Sequence, residues 1–185
     1  MASDNDSGSQ EMKDHYNVLF LCTGNSARSI MAEAILNSKG GPQFTAYSAG
    51  SHPSGSVRPE AIAQLEAVHI STDGLRSKSW NEFTEPDSPK MDFVVTVCDN
   101  AAKEACPLFQ IGGSTGGDAQ AVTMIRAHWG VPDPPAVQGS PRQIECAFRE
   151  AYTILDRRID LFLSLALNSL DRTALQKAVE QIGER

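Results

Sequence analysis

No stretch of this chain is apolar for long enough to cross a bilayer. The longest candidate, Ile159 to Leu170, is broken by Asp160, Ser164 and Asn168. The N-terminus, MASDNDSGSQEMKDH, lacks the basic start and apolar centre of a secretion signal, so residues 1–15 read as a disordered tail. Positive charge is short as well: 16 Lys and Arg stand against 23 Asp and Glu, a net charge of −7. Such a field repels nucleic-acid backbones, and any anionic ligand must be met by a local, donor-rich pocket. There is no CxxC and no close Cys–His pair. A structural zinc built from Cys98, Cys106, Cys146 and His128 is therefore set aside. What remains is a soluble chain of 185 residues with 41% hydrophobic and 21% charged residues, enough for one globular domain with a substantial core. A cytoplasmic monomer is expected, with neither membrane nor nucleic acid as partner. Four cysteines in that setting suggest thiol chemistry before a disulfide framework.

The residues that are present alternate between strand and helix patterns. Asn17–Leu21 (NVLFL) is a continuous apolar run of the kind a buried parallel strand carries. It ends in the turn CTGNSARS, followed by the helical SIMAEAILNS, which Gly40 and Gly41 stop. Phe44–Ser48 reads as a second strand, and Pro59 opens a helix at PEAIAQLEAVH. Asp92–Val97 (DFVVTV) is a third strand, closed by Cys98. From Asp99 to Met124 the pattern fades, and GGSTGGDAQ (112–120) reads as a Gly-rich surface loop. RAHWGV holds a short fourth strand before the turn PDPP. Ser140-Pro141 starts the longest helix, running through to Leu167, with Ile144, Phe148, Tyr152, Leu155 and Ile159 as its buried stripe. Residues 16–170 thus form the domain, and 171–185 a C-terminal extension with a helical pattern over 171–182. The fold class is α/β, three-layered, with an open four-stranded parallel sheet flanked by helices. Such sheets bind ligands beyond the carboxyl ends of their strands. Cys22 follows the first strand and Cys98 the third, so both belong on that edge.

The strand-to-helix turn Cys22-Thr23-Gly24-Asn25-Ser26-Ala27-Arg28-Ser29 can wrap backbone N–H groups around a tetrahedral oxyanion. Arg28 offers a planar fork for two of its oxygens. The same positive field is expected to lower the Cys22 pKa and make it a thiolate at neutral pH. Ser29 is placed to donate to that sulfur, and the side-chain amide of Asn25 to hold the loop in shape. C-x5-R alone is a loose pattern. C-x5-R-S between a buried strand and a helix, with Gly two residues after the Cys, is far more specific.

VLFLCTGNSARSIMAEAIL resembles the signature of the low-molecular-weight tyrosine phosphatase superfamily, in the version found in its arsenate reductases. The likeness runs from about Asn17 to the long helix, through YSAGS, GLRSKSW, VVTVCDNAAKEACP and HWGVPDPP, leaving out the tail, the Gly-rich insertion and the last fifteen residues. It implies a low-molecular-weight phosphatase-like fold, with Cys22 as nucleophile and Asp133, in the Asp-Pro pair, as general acid. Read alone, Asp133 would be an ordinary turn residue.

A phosphatase of this kind needs only Cys22, Arg28 and an acid, whereas reducing arsenate needs a second thiol to supply electrons. Cys98 and Cys106 provide candidates, and the resemblance implies that Cys98 attacks Cys22 and Cys106 then attacks Cys98. Thioredoxin, or glutathione with glutaredoxin, would be the external thiol reductant, with no tightly bound cofactor. The alternative is a low-molecular-weight phosphatase hydrolysing phosphate monoesters. Against it stand TGNSARS where those phosphatases usually carry LGNICRS, and Asp-Pro-Pro without a following tyrosine. The resemblance also offers a potassium site near Asn25, Glu33 and Ser48, although no further acidic ligand stands between Ser77 and Trp80. Glu33 reads equally well as a solvated helix residue. Trp129 is expected to be a packing anchor, His128 a hydrogen-bonding residue, and His15, His52 and His69 surface residues. Cys146, on the long helix, is expected in the core or partly exposed.

Overall fold

In the computed structural model, residues 13–104, 106 and 124–185 are described. Most of the expected tail and the whole 112–120 loop lie outside them. Four strands, β1 (Tyr16–Cys22), β2 (Phe44–Gly50), β3 (Phe93–Thr96) and β4 (Ile125–His128), form one sheet in the order β2-β1-β3-β4. Every pairing is parallel, so all four carboxyl ends point the same way. The helices are α1 (Arg28–Lys39), α2 (Pro59–Ala67), α3 (Asp99–Lys103), α4 (Pro141–Leu163) and α5 (Arg172–Ile182).

The alternation of side chains along each strand divides the core in two. Val18, Phe20 and Cys22 of β1, with Phe93 and Val95 of β3, join a large cluster that takes residues from all five helices. Leu19, Leu21 and Val94 face the other way, into a smaller cluster with Phe83 and Cys106. Phe162 of α4 knits the larger cluster together. Its ring lies 5.0 Å from Phe93, 5.4 Å from Phe44 and 6.0 Å from Trp129, tilted or edge-on in each case. Each such pair adds about 0.5–1.5 kcal/mol beyond the area it buries.

Several elements depart from the sequence reading, each for a local reason. β2 extends to Gly50, because register with β1 pairs Leu21 with Ala49 and Cys22 with Gly50. α4 begins as expected, with a Ser140/Gln143 capping box and Pro141 in its first turn, but ends at Leu163 and not Leu167. There Ser164 Oγ donates to Leu161 O, and the chain turns off over the next residues. β4 starts at Ile125 and stops before Trp129. The short helix α3 arises where no helical pattern was legible, with Cys98 as its N-cap.

α5 is fastened to the edge of the sheet. The side chain of Gln176 donates to Arg126 O and accepts from Arg126 N, pairing backbone groups on the outer strand β4. Trp129 is fully buried, and its Nε1 donates to Val179 O at 3.0 Å. The buried guanidinium of Arg158 donates to Gly183 O at 2.8 Å and to Gly130 O at 3.0 Å. The C-terminal helix thereby reaches the turn that carries Asp133.

Candidate active site

Cys22 ends β1 and Cys98 follows β3, at the same carboxyl edge. Between β1 and α1 the loop is held from outside by its own carbonyls. Thr23 O accepts from His52 N, Gly24 O from Ser54 N and Ser26 O from Arg58 N, at 2.8–2.9 Å. Because the peptide is planar and trans, the N–H groups of Gly24, Asn25 and Ala27 point to the opposite, inner side. Asn25 N reaches Cys22 Sγ at 3.1 Å. This is a concave row of donors around the sulfur, at the amino end of α1.

Asn25 is the tie of this loop. It sits at φ +42°, a left-handed backbone that Asn tolerates better than most residues. Its fully buried side chain makes three bonds: Nδ2 donates to Ser29 Oγ and to Ser48 Oγ, both at 2.9 Å, and Oδ1 accepts from Lys78 N at 2.7 Å. Ser29 Oγ in turn lies 2.9 Å from Cys22 Sγ.

Arg28 opens α1 but is turned toward the acid turn. Its Nη2 pairs with Asp133 at 2.8 Å, and its Nη1 donates to Val131 O at 3.0 Å. Arg28 and Asp133 line a cleft of about 470 Å³ together with Cys98, Asp99 and the Gly130–Pro132 backbone. Cys22 is not part of that lining and is only 3% exposed. This corrects the expected thiolate. Burial pushes the Cys22 thiol above its ordinary pKa, and the nearby Cys98 adds to the rise. The bonds from Ser29 and from Asn25 N–H oppose it, and Arg28 opposes it least. The sequence motif counts Arg28 as Cys22's partner, whereas Asp133, brought in from far along the chain, takes up the guanidinium.

Cys98 is buried beside this loop. Its Sγ lies 3.6 Å from Thr23 Oγ1 and accepts from Ala101 N at 3.4 Å. Cys106 is also buried, but in the cluster on the opposite face of the sheet, with Leu19, Leu21 and Val94. Cys146 is exposed on α4. The four sulfurs form no disulfide; Cys98 and Cys106 lie in different clusters, and Cys146 is exposed on α4.

Asn25, Glu33 and Ser48 do come together, and Ser48 Oγ donates to Glu33 Oε2. The positive charge beside them is an ammonium: Lys78 Nζ lies 3.3 Å from Glu33 Oε2 and 3.4 Å from Ser48 Oγ. That position is unsuited to a potassium ion while Lys78 holds it. The sequence reading missed Lys78, because a single lysine in a polar segment carries no periodic or motif signal. It also missed Asp99, whose Oδ1 lies 3.0 Å from His128 Nε2, while Thr96 Oγ1 lies 2.9 Å from Nδ1 of the same ring. His15, His52 and His69 are exposed.

The family model for low molecular weight phosphotyrosine protein phosphatases matches residues 17–179, and the chain belongs to this family. The match reaches well into α5, past the span over which the resemblance was drawn. Among curated relatives, the arsenate reductase of Oceanobacillus iheyensis is 32% identical over 145 residues, spanning 78% of this chain and 93% of the relative. The arsenate reductase of Bacillus subtilis is 30% identical over 146 residues, with the same shares. Among solved structures, an arsenate reductase in its phosphate-binding state superposes with a TM-score of 0.58 at 27% identity, covering 80% of this chain and 97% of that one.

Proposed function

We propose that this chain reduces arsenate to arsenite, with Cys22 as the nucleophile and Cys98 as the second thiol. The observation that carries the reading is a buried thiol next to the nucleophile's loop, with Cys98 Sγ 3.6 Å from Thr23 Oγ1. Hydrolysis of a phosphate ester has no use for a second thiol, whereas a two-electron reduction needs one, and Cys98 is placed to supply it. The similarity to arsenate reductases on both sequence and structure supports the same choice.

The loop N–H groups and Arg28 hold the arsenate oxygens, and the Cys22 thiolate attacks arsenic. Asp133 protonates the departing oxygen, which leaves as water, and a sulfur–arsenic bond forms. An arsenate that recruits Arg28 into the loop acts twice. It frees the Asp133 carboxyl from its ion pair with Arg28, and it brings that cation toward Cys22, favouring the thiolate. The Cys98 thiolate then attacks Cys22 Sγ. The sulfur–arsenic bond breaks, its electron pair stays with arsenic as arsenite departs, and a Cys22–Cys98 disulfide remains. Attack by Cys106 on Cys98 restores the Cys22 thiolate. The Cys98–Cys106 disulfide is then reduced by thioredoxin, or by glutathione with glutaredoxin.

The test is arsenite production with the thioredoxin and glutaredoxin systems supplied in parallel, beside hydrolysis of p-nitrophenyl phosphate. Arsenite formed with one system, and lost in Cys22→Ser, is the expected result. Brisk ester hydrolysis without arsenite would instead make the chain a phosphatase.

A further inference from the structure

Beneath the oxyanion loop lies a polar cluster whose Lys78, Glu33 and Ser48 take no part in the proposed reaction. Lys78 is 6% exposed, Glu33 9%, and Asn25, Ser29 and Ser48 are fully buried. An ammonium has three protons to give, and Lys78 Nζ faces three oxygens of different kinds. These are the carboxylate of Glu33 at 3.3 Å, the hydroxyl of Ser48 at 3.4 Å and the carbonyl of Arg76 at 3.3 Å. An all-oxygen set with one carboxylate is the surrounding a hard monovalent cation prefers. Here the cation is covalently part of the chain.

The cluster connects to the nucleophile through short contacts only. Glu33 and Ser48, which the ammonium joins, are hydrogen-bonded to each other, and Ser48 Oγ accepts a hydrogen bond from Asn25 Nδ2. Asn25 Nδ2 also donates to Ser29 Oγ, which lies against Cys22 Sγ. Lys78 holds Asn25 a second time through its own backbone N–H, at 2.7 Å from Oδ1. Asn25 is the residue with left-handed backbone in the middle of the loop.

We propose that Lys78 is a positioning residue whose ammonium serves as a built-in monovalent cation for the oxyanion loop. It fixes Asn25 and, through it, the orientation of Ser29 toward Cys22. Oxyanion binding in this protein is therefore independent of added potassium. The proposal rests on the reading of the loop as an oxyanion site, but not on the reduction itself.

The experiment follows alkylation of Cys22 by iodoacetamide in a Cys146→Ser background, and its protection by inorganic phosphate. Neither readout depends on arsenite formation, so failure of the reductase reading stays distinguishable from failure of this one. With Lys78 intact, replacing sodium by potassium or ammonium chloride at fixed ionic strength is expected to change nothing. Lys78→Met removes the charge and keeps the bulk. In sodium, phosphate protection should weaken roughly tenfold or more, because a small displacement of the loop is amplified at the reacting centre. Potassium, ammonium or methylammonium should recover part of the loss. A second variant, Glu33→Gln with Lys78→Met, leaves no unpaired buried charge and so guards against simple misfolding. It should bind phosphate as weakly in sodium but show no recovery with any cation. Potassium sensitivity with Lys78 intact, unweakened protection in Lys78→Met, or a loss no cation repairs in a folded Lys78→Met would each overturn the proposal.

Discussion

Gly50→Ala is expected to damage the oxyanion loop without touching any reacting group. Gly50 ends β2, pairs with Cys22 in the sheet and donates its N–H to Lys78 O at 2.9 Å. A Cβ built there would lie 2.4 Å from Thr23 O, 3.0 Å from Asn25 Cβ and 3.1 Å from Asn25 N. Ordinary contact begins near 3.4 Å, so the Thr23 carbonyl must retreat by about 1 Å or β2 must bend away. The carbonyl cannot rotate aside like the tip of a long side chain, since His52 N holds it at 2.9 Å.

Overpacking of this kind costs about 1–3 kcal/mol, a fall in Tm of roughly 2–12 °C for a chain of this size. The functional loss should be larger in proportion, because a 1 Å misplacement of a reacting frame costs about 10²-fold. Thermal unfolding and kcat/KM for arsenate measure the two effects. Gly74→Ala is the control: its φ of +76° imposes backbone strain, but nothing lies within 4 Å of the added carbon. It should lower Tm modestly and leave kcat/KM unchanged. If Gly50→Ala melts with Gly74→Ala and retains its activity, the close approach does not shape the loop.

Asp133→Asn removes the counter-ion that now occupies Arg28, so the pH midpoint for Cys22 alkylation should move down, while single-turnover arsenate attack slows by about 10²–10⁴-fold with the acid gone. An unmoved midpoint would break the link between the two residues. Because burial raises the Cys22 pKa, the fold's share of stability from that proton is fully present below the unfolded-thiol range of about 8–9 and is lost as pH climbs through the raised value. Cys22→Ala should flatten this alkaline decline in chemical denaturation. Arg158→Met leaves the carbonyls of Gly130 and Gly183 without their buried donor and should cost about 1–3 kcal/mol, with a KM for arsenate that rises as the acid turn loosens. Stability within error of the parent would show that α5 is not braced this way. Cys146 should alkylate first in the native protein and Cys106 last, and Cys98→Ala should expose Cys106 more than Cys98→Ser, which keeps a capping atom. Equal Cys106 rates in the two variants would exclude the cap as the controlling contact.

The fold was legible where one signal sufficed. Asn17–Leu21 is an apolar run of strand length and Asp92–Val97 a valine-rich one, and they became β1 and β3; Ser140-Pro141 starts α4. Pattern failed where pairing or capping decided the outcome. Ala49 and Gly50 carry little strand propensity and are extended because β1 lies beside them. α3 begins on a cysteine N-cap, which no capping rule anticipates. Leu165 and Leu167 prolong the apolar rhythm of α4 although the chain has already turned. At the site, the contiguous loop from Cys22 to Ser29 could be read, since its residues act together as neighbours in sequence. The ammonium of Lys78, the grip of Asp133 on Arg28 and the burial that raises Cys22 come from distant segments. No local pattern encodes them.

The two faces of the sheet set the problem that a thiol relay must solve. Cys22 and Cys98 belong to one cluster and Cys106 to the other, whereas a disulfide needs Cα atoms within about 7 Å and sulfurs in contact. The link between them is α3, a helix of five residues. So short a helix has little stability of its own and depends on its cap and its packing. Its cap is the Cys98 sulfur, which accepts from Ala101 N at 3.4 Å. Under the proposed relay, an attack of Cys98 on Cys22 would turn that sulfur toward the loop and away from Ala101 N. The same bond would then remove the cap of α3 and free the segment that carries Cys106. Chemistry at the loop and release of Cys106 would be coupled through one atom, the capping sulfur.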